Sequence, residues 1–292
     1  MSELSGKTLA VDTSIYMYKY VGAGALLEQM YLMISIMLHY KITPIFVFDG
    51  KPPPEKHELL LQRRLEKCEA SRKCLELQDL LSITTNDTHV LQNELELLKK
   101  QCVSITMRDI HQTKELFEYY GIQYICADGE ADHICAHLVS SGKAWGCISD
   151  DMDMFVFGCP RVYRHFSLLN HTIIYYELDI ILKHIDMSFE DFKIAMIVSG
   201  TDYNISSSGS LAETLDYYMK WRNDPSSRIF SHTFYEWLIE NTDYIKNKEL
   251  LLKTWQMFDI SNIVSHDLVI KRPIKHMEKL RRLLAEVGFI FI

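Results

Sequence analysis

The chain of 292 residues lacks any apolar run approaching the roughly 18 residues that a membrane-crossing helix needs. No membrane partner is therefore expected. Its opening residues, MSELSGKTLAVDTS, have no basic stretch followed by an apolar run, so an intracellular rather than a secreted chain is expected. There is no C-x-x-C pair: the seven cysteines (68, 74, 102, 126, 135, 147 and 159) are scattered and odd in number. That pattern disfavours a zinc site or a disulfide framework and favours reduced thiols. Internal repeats and low-complexity linkers are also absent.

Net positive charge is lacking too. The formal charge is −8, which by itself argues against a nucleic-acid partner. The average hides two basic stretches. Residues 51–73 carry seven Lys/Arg against four Glu, and residues 271–282 carry six against one. The acidic excess must lie elsewhere. Part of it stands in ISDDMDMFVFG (148–158), where three aspartates press against apolar residues that belong in an interior.

What is present is an alternation of strands and helices. KTLAVD (7–12) and ITPIFVFDG (42–50) read as short apolar strands that end in Asp. The apolar spacing of 20–40 predicts helix, and a charged helical stretch fills about 55–101 with a break near 82–88. Then come a helix stopping at Gly121, the strand IQYICA, a helix opening in DGEAD, and the strand AWGCIS. RVYRHF and TIIYYE read as a hairpin, and beyond about 186 the pattern is helical to the end. Strands alternating with helices predict an α/β fold with a mostly parallel sheet, helices on both faces, and ligands beyond the carboxyl ends of the strands.

Acids gather at those ends: Asp12, Asp49, the 150–153 cluster, and Glu130 with Asp132 at the start of a helix. Any one of them reads equally well as a helix cap or a turn residue. Four segments delivering acids to one sheet edge is a different matter. Such charges either raise each other's pKa or take up a cation. With oxygen donors and no His or Cys beside them, the expected ions are hard, Mg²⁺ or Mn²⁺. Two of them about 4 Å apart would form a clamp for in-line attack on a phosphodiester.

AVDTSIYMY, VFDGKPPPEK, GEADHICAHL, SDDMDMFVFG and SGTDYN together resemble, in order and spacing, the motifs of the flap endonuclease family of structure-specific 5′ nucleases. The resemblance covers about residues 7–204. It implies a PIN-like core over 1–204 that includes a helical gateway and cap at about 52–108. Residues 205–292 would then form a helical C-terminal region. It places the metal-binding acids on Asp12, Asp49, Glu130, Asp132, Asp151, Asp153 and Asp202, with Asp150 in support. Lys56 and Arg63 fall where the family has its catalytic Lys and Arg, and a spacing of seven aims both cations at one phosphate. Tyr18 matches an aromatic that stacks on a nucleobase, with a core position as the competing reading because Tyr16 and Tyr20 lie close by. Lys99, Lys100 and Arg108 are candidate phosphate contacts. Arg64, Lys67 and Arg72 read as a solvated basic face.

Three departures accompany the resemblance. The family's Met-Gly-Ile-x-Gly-Leu opening is not matched ahead of the first strand. In the helix-two-turn-helix, NISSSGSLAETLDYYMK (204–220) keeps Gly209 but has Leu211 for the second glycine and Ala212-Glu213 for Pro-Lys, so a degenerate duplex grip is expected. No sliding-clamp peptide is found near the end, where GFIFI reads as a packed segment. KRPIKHMEKLRR reads either as added duplex contacts or as an amphipathic helix.

The resemblance thus implies a Mg²⁺-dependent nuclease with two ions, acting on DNA with 5′ ends, flaps, nicks, gaps or branches. It would work inside a cell, in nucleus, cytoplasm or a viral replication site. An inactive DNA-binding scaffold and a 5′ exonuclease acting on RNA are the alternatives. A phosphohydrolase with an Asp nucleophile is set aside, because Asp12 is followed by Thr13 and Ser14 and no D-x-D forms.

Overall fold

The computed structural model describes residues 1–83, 89–204, 209–225, 233–261, 263 and 268–291. Six strands form one sheet in the order β3-β2-β1-β4-β5-β6: β1 Thr8–Asp12, β2 Thr43–Phe48, β3 Gln123–Cys126, β4 Gly146–Ile148, β5 Arg161–Ser167 and β6 Thr172–Glu177. The first five strands in that order run parallel through four pairings, and β6 returns antiparallel to β5 as the expected hairpin. This is the α/β sheet predicted from the alternation.

The period of two along each strand divides the core into two layers. Leu9 and Val11 of β1 and Phe46 and Phe48 of β2 face one side. There they meet α1 (Thr13–Gly22), α2 (Leu26–His39) and α5 (Met107–Tyr120). Ala10, Ile45 and Val47 face the other side, against α6 (Ala131–Ser140) and the single turn α7 (Asp153–Val156). α5 begins at a Thr106/Asp109 capping box and ends at Gly121, whose φ of 77° suits a residue without Cβ.

α3 (His57–Ile83) and α4 (His89–Gln101) pack on each other and stand away from the sheet. Along 27 residues α3 buries only Leu59, Ala70 and Cys74, so its fixed shape rests on α4 and on its root rather than on a core face. After the hairpin come α8 (Leu178–Ile185), α9 (Phe189–Ser199), α10 (Leu211–Asn223), α11 (Phe234–Asn241) and α12 (Lys248–Met257). α9, α10 and α11 share a small third core around Tyr218, Phe234, Trp237 and Leu238.

The expectation of unbroken helix beyond 186 is corrected. The described residues of 259–276 are not helical, and Lys271 pairs with Tyr124 on the free edge of β3. Covering that edge satisfies backbone groups a helix would have left open. Of KRPIKHMEKLRR, only the part from Met277 onward is helix: α13 (Met277–Glu286) docks Leu280, Leu283 and Leu284 into the first core layer beside α5. Phe289 and Phe291 then close on Tyr31, as the packed-end reading anticipates. Among the described residues, no helix is long and apolar enough to cross a membrane.

Candidate active site

Parallel register sets the stage. Asp12 is paired with Val47 across β1 and β2, and Val11 is paired with Ile148 across β1 and β4. Asp12, Asp49 and the Ser149–Asp153 turn therefore leave the sheet at the same edge. Asp12 is 5 % exposed. Its Oδ1 accepts the Ser14 amide at 3.1 Å as the cap of α1, and its Oδ2 accepts the Ser149 hydroxyl at 3.2 Å. The capping reading therefore holds for one oxygen of this carboxylate, while the other is held by Ser149.

Glu130 and Asp132 reach that edge because Gly50 lets another loop close on Asp49. A Cβ on Gly50 would lie 2.2 Å from the Ala127 carbonyl oxygen and 2.4 Å from that of Asp128. Gly50 instead donates its amide to Gly129 at 2.6 Å, while Asp49 Oδ1 accepts the Ala131 amide at 2.7 Å, at the start of α6. The glycine of the FDG triplet is thus required by a close backbone approach.

The 148–158 stretch divides its acids. Asp151 takes its own amide to the Ser149 hydroxyl at 3.1 Å and accepts the Asp153 amide at 2.8 Å. Asp150 faces away, accepting the His165 amide at 2.7 Å, which fits a supporting acid. Met154, Phe155, Val156 and Phe157 are buried as the pattern implies, but Met152 is 48 % exposed and does not anchor the turn in the core. It meets Arg164 instead, whose Nη1 lies 2.6 Å from the sulfur.

Two cations close over the acids. The proline run KPPP sets a 3-10 turn, Pro54–Lys56, that roots α3 and carries Lys56 into the interior at 8 % exposure. Its ammonium lies 2.5 Å from Glu130 and 3.7 Å from Asp202. Arg63, on α3 proper and half exposed, lies 3.1 Å from the same Asp202 oxygen. The spacing of seven does bring both onto one point, though Lys56 precedes the helix rather than riding on it. Asp202 is presented by a loop that buried Asn204 ties down, accepting the Thr201 amide at 2.7 Å and donating to the Ile197 carbonyl at 2.7 Å.

The charge balance is one-sided. Among the described residues no Lys or Arg forms an ion pair with Asp12, Asp49, Asp132, Asp151 or Asp153. Burial, then the charges of Asp49 and Asp151, push Asp12 up to about 7. Burial, then Asp151 and Asp202, push Asp153 up to about 7 as well. Burial, then the charges of Asp12, Asp151 and Asp49, hold Asp132 well above its ordinary value, and its shielded Oδ1 has no hydrogen-bond partner. Burial works to lower Lys56, but the Glu130 hydrogen bond and the acids around it outweigh that and raise it.

Among the described residues no three His, Cys, Asp or Glu side chains converge closely enough to enclose a metal ion. The acids share an edge without closing on one point. In donor chemistry the edge nonetheless fits hard cations: every group is a carboxylate oxygen, and the buried Asp132 oxygen is left unpaired.

Sequence reading missed three contributors. Tyr203, buried beside Asp202, donates its hydroxyl to Glu130 and lies 4.7 Å beneath the Lys56 ammonium, fixing both partners of that ion pair. Ser149 bridges Asp12 and Asp151. Lys67, on the basic face of α3 and partly exposed, also lies 5.3 Å from the Tyr18 ring centre and donates to Ser104 at 3.3 Å. No sequence spacing marks contacts of this reach, although Tyr203 stands inside a motif and its adjacency to Asp202 was a usable signal.

Tyr18 is 47 % exposed, whereas Tyr16 and Tyr20 are fully buried, so the stacking position is open and the core reading applies to its neighbours. Lys99, Lys100 and Arg108 are exposed, and none of the three meets the acids; Lys99 pairs with Glu96 at 2.8 Å. Of the altered helix-two-turn-helix, residues 205–208 lie outside the described residues. Gly209 packs under Tyr244, whose hydroxyl would lie 1.8 Å from an added Cβ. Leu211, Ala212 and Glu213 form the first turn of α10, capped by Ser210, whose side chain accepts the Glu213 amide at 3.1 Å.

Comparison with known proteins agrees with this geometry. The XPG N-terminal domain matches residues 1–70, and the XPG I-region matches 121–202. Flap endonuclease 1 of Methanococcus aeolicus is 29 % identical over 221 residues, covering 70 % of this chain and 65 % of the relative. That of Chlamydomonas reinhardtii is 31 % identical over 222 residues, covering 68 % and 53 %. The matched region thus spans between half and two thirds of these relatives. In fold, the chain resembles the catalytic core of Rad2 in complex with DNA substrate, with a TM-score of 0.66 at 22 % identity over 99 % of this chain and 89 % of that one. It likewise resembles human GEN1 in complex with Holliday junction DNA, at 0.65 and 19 %, over 99 % and 70 %. Two XPG regions matched in order, with the acids of both meeting at one sheet edge, identify the chain as a member of the XPG/Rad2-like family of 5′ nucleases.

Proposed function

We propose that the chain is a metal-dependent, structure-specific 5′ nuclease that hydrolyses DNA phosphodiesters near 5′ ends, flaps, nicks, gaps or branches in replication, repair or recombination inside the cell. The observation that carries this reading is the charge imbalance: five chain segments deliver seven acids to one edge, and among the described residues the cations beside them, Lys56 and Arg63, pair only with Glu130 and Asp202. The names of the relatives, which are flap endonucleases and DNA-bound Rad2 and GEN1, support DNA as the substrate class.

Asp12, Asp49, Glu130, Asp132 and Asp151 would hold one Mg²⁺, and Asp151, Asp153 and Asp202 a second, with Mn²⁺ able to replace either. Bound there, the ions would supply the counter-charge and Lewis acidity that phosphodiester hydrolysis requires. The chain's own residues do the rest. Lys56 and Arg63 stand at the mouth of the edge, where a phosphate entering between them exchanges their contacts with Glu130 and Asp202 for its own oxygens. Both then steer the scissile group and stabilise the charge that grows on it. Tyr203 holds Lys56 and Glu130 in register. Tyr18, steadied by Lys67, offers a ring for the base beside the scissile bond. Residues 1–204 form the catalytic core in this reading, and 205–292 a C-terminal region whose altered turn gives a weaker grip on duplex.

The test is cleavage of end-labelled flap, nicked, overhanging and blunt DNA, with matched RNA flaps, in Mg²⁺ and in EDTA. Cutting of the branched or nicked DNA in Mg²⁺ alone is expected. No cutting of any DNA supports the scaffold alternative, and faster cutting of RNA the RNA-directed one.

A further inference from the structure

The helices above the acidic edge carry a pair of thiols that the nuclease reading leaves unused. Cys74 is buried on the face of α3 turned to α4, and Cys102 follows directly after the end of α4 at half exposure. Their sulfurs are 4.0 Å apart. The contact is built from both sides: Ser71, one turn before Cys74, donates its hydroxyl to the Cys102 sulfur at 3.4 Å. That hydrogen bond holds the Cys102 sulfur beside Cys74. The remaining cysteines offer no such pair at a surface. Cys68 and Cys126 are exposed singly, while Cys135, Cys147 and Cys159 are buried.

We propose that Cys74 and Cys102 form a reversible disulfide that clasps α3 to the end of α4, and that peroxides are the class of oxidant that closes it. The Cys102 thiolate attacks one oxygen of hydrogen peroxide. The O–O bond breaks, one oxygen leaves as hydroxide and takes a proton to become water, and Cys102 is left as a sulfenic acid. The Cys74 sulfur then attacks the Cys102 sulfur, expelling the second oxygen as water. The two thiols lose two electrons and two protons in all, and the peroxide becomes two waters. A sulfur separation of 4.0 Å must close to about 2.05 Å, which side-chain rotation and a small helix shift accommodate. A dithiol reductant reopens the bond by exchange.

The clasp bears on the rest of the molecule through α3. That helix carries Arg63 and is rooted at Lys56, and Lys67 ties it both to Tyr18 and to Ser104, two residues beyond Cys102. Joining 74 to 102 would fix α3, the helix that carries Arg63, against the end of α4. The consequence for activity rests on the nuclease reading; the bond itself does not.

The experiment treats the purified chain with hydrogen peroxide, caps free thiols with N-ethylmaleimide, and maps peptides without reduction. A Cys74–Cys102 linked peptide is expected. Dithiothreitol should abolish it, Cys102→Ser should lack it, and Cys68→Ser should retain it. The oxidised wild type should also melt higher than the reduced form, a shift absent from Cys102→Ser, whose half-exposed position tolerates the change. Recovery of both thiols as maleimide adducts after peroxide overturns the proposal. So does a dominant bridge of either cysteine to Cys68 or to a second chain. Cleavage rates before and after oxidation form a separate arm. If the linked peptide forms but no DNA is cut in either state, the nuclease reading fails and the clasp stands.

Discussion

The acidic edge of the sheet, gathered from separate segments, and the basic stretch at 271–282 are each a cluster of one sign, yet the fold treats them in opposite ways. At the edge, strand ends and a close-packed glycine press carboxylates together, and only Glu130 and Asp202 receive a cation. In the basic stretch the lysines lie over tyrosine rings: Lys271 on Tyr124 at 5.3 Å, Lys275 on Tyr120 at 4.7 Å and Lys279 on Tyr119 at 5.5 Å. One cluster is left wanting counter-charge, and the other spends much of its charge on sealing β3 and α5. A charge cluster therefore points to a ligand when the fold concentrates it without balancing it.

The largest expected effect comes from removing charge at the edge. Asp151→Asn should lower flap cleavage in Mg²⁺ by at least about 10²–10³-fold, measured under single turnover. Equal cleavage by wild type and variant would remove the edge from the mechanism. Lys56→Ala and Arg63→Ala sharpen the same point and should separate in stability. Both should slow cleavage far more than they weaken DNA binding. Lys56→Ala also strips Glu130 of a buried partner and should cost about 1–3 kcal/mol in urea unfolding. Arg63→Ala, at an exposed pair, should cost no more than about 1 kcal/mol.

A third prediction concerns pH. In metal-free protein Asp12 and Asp153 have pKa values near 7, above the usual 3.8. Between those values the folded chain binds more protons than the unfolded one, so its stability falls as pH rises from about 4 to 7. Asp12→Asn should therefore melt a few degrees higher than wild type at pH 8 in EDTA, with the gap closing toward pH 4. A variant that melts lower at pH 8 would show that the Asp12 carboxylate is satisfied without a cation. The smallest effect belongs to the other cluster. Lys275→Ala with Lys279→Ala should cost about 0.5–1 kcal/mol each in stability and leave the salt slope of DNA binding nearly unchanged. A slope reduced by about one per lysine would instead make these residues phosphate contacts.

Much of this was legible in the sequence. Short apolar runs closed by Asp announced the strands, the parallel sheet and the acids at its edge, because strand ends fix where a side chain emerges. The Lys56 and Arg63 pair was marked by the family resemblance, and the two do meet one Asp202 oxygen, although Lys56 precedes the helix that carries Arg63. What escaped is of two kinds. Tyr203 on Glu130, Lys67 on Tyr18 and Cys74 on Cys102 are contacts between side chains far apart in sequence, which no local pattern encodes. The described residues of 259–276 escaped because a half-apolar segment reads as helix, whereas Lys271 finds a backbone partner in Tyr124 on the free edge of β3. Met152 failed for a simpler reason: it stands just before the one-turn helix α7, faces outward, and meets Arg164.

The central claim is that the acidic edge is unbalanced because it takes up hard cations. Mn²⁺ titration followed by electron paramagnetic resonance, with uncleaved flap DNA present, tests it without relying on activity. Two bound ions per chain are predicted for wild type, with occupancy lost in Asp151→Asn and unaffected by Lys275→Ala. No uptake by wild type, or equal uptake by wild type and Asp151→Asn, would contradict it.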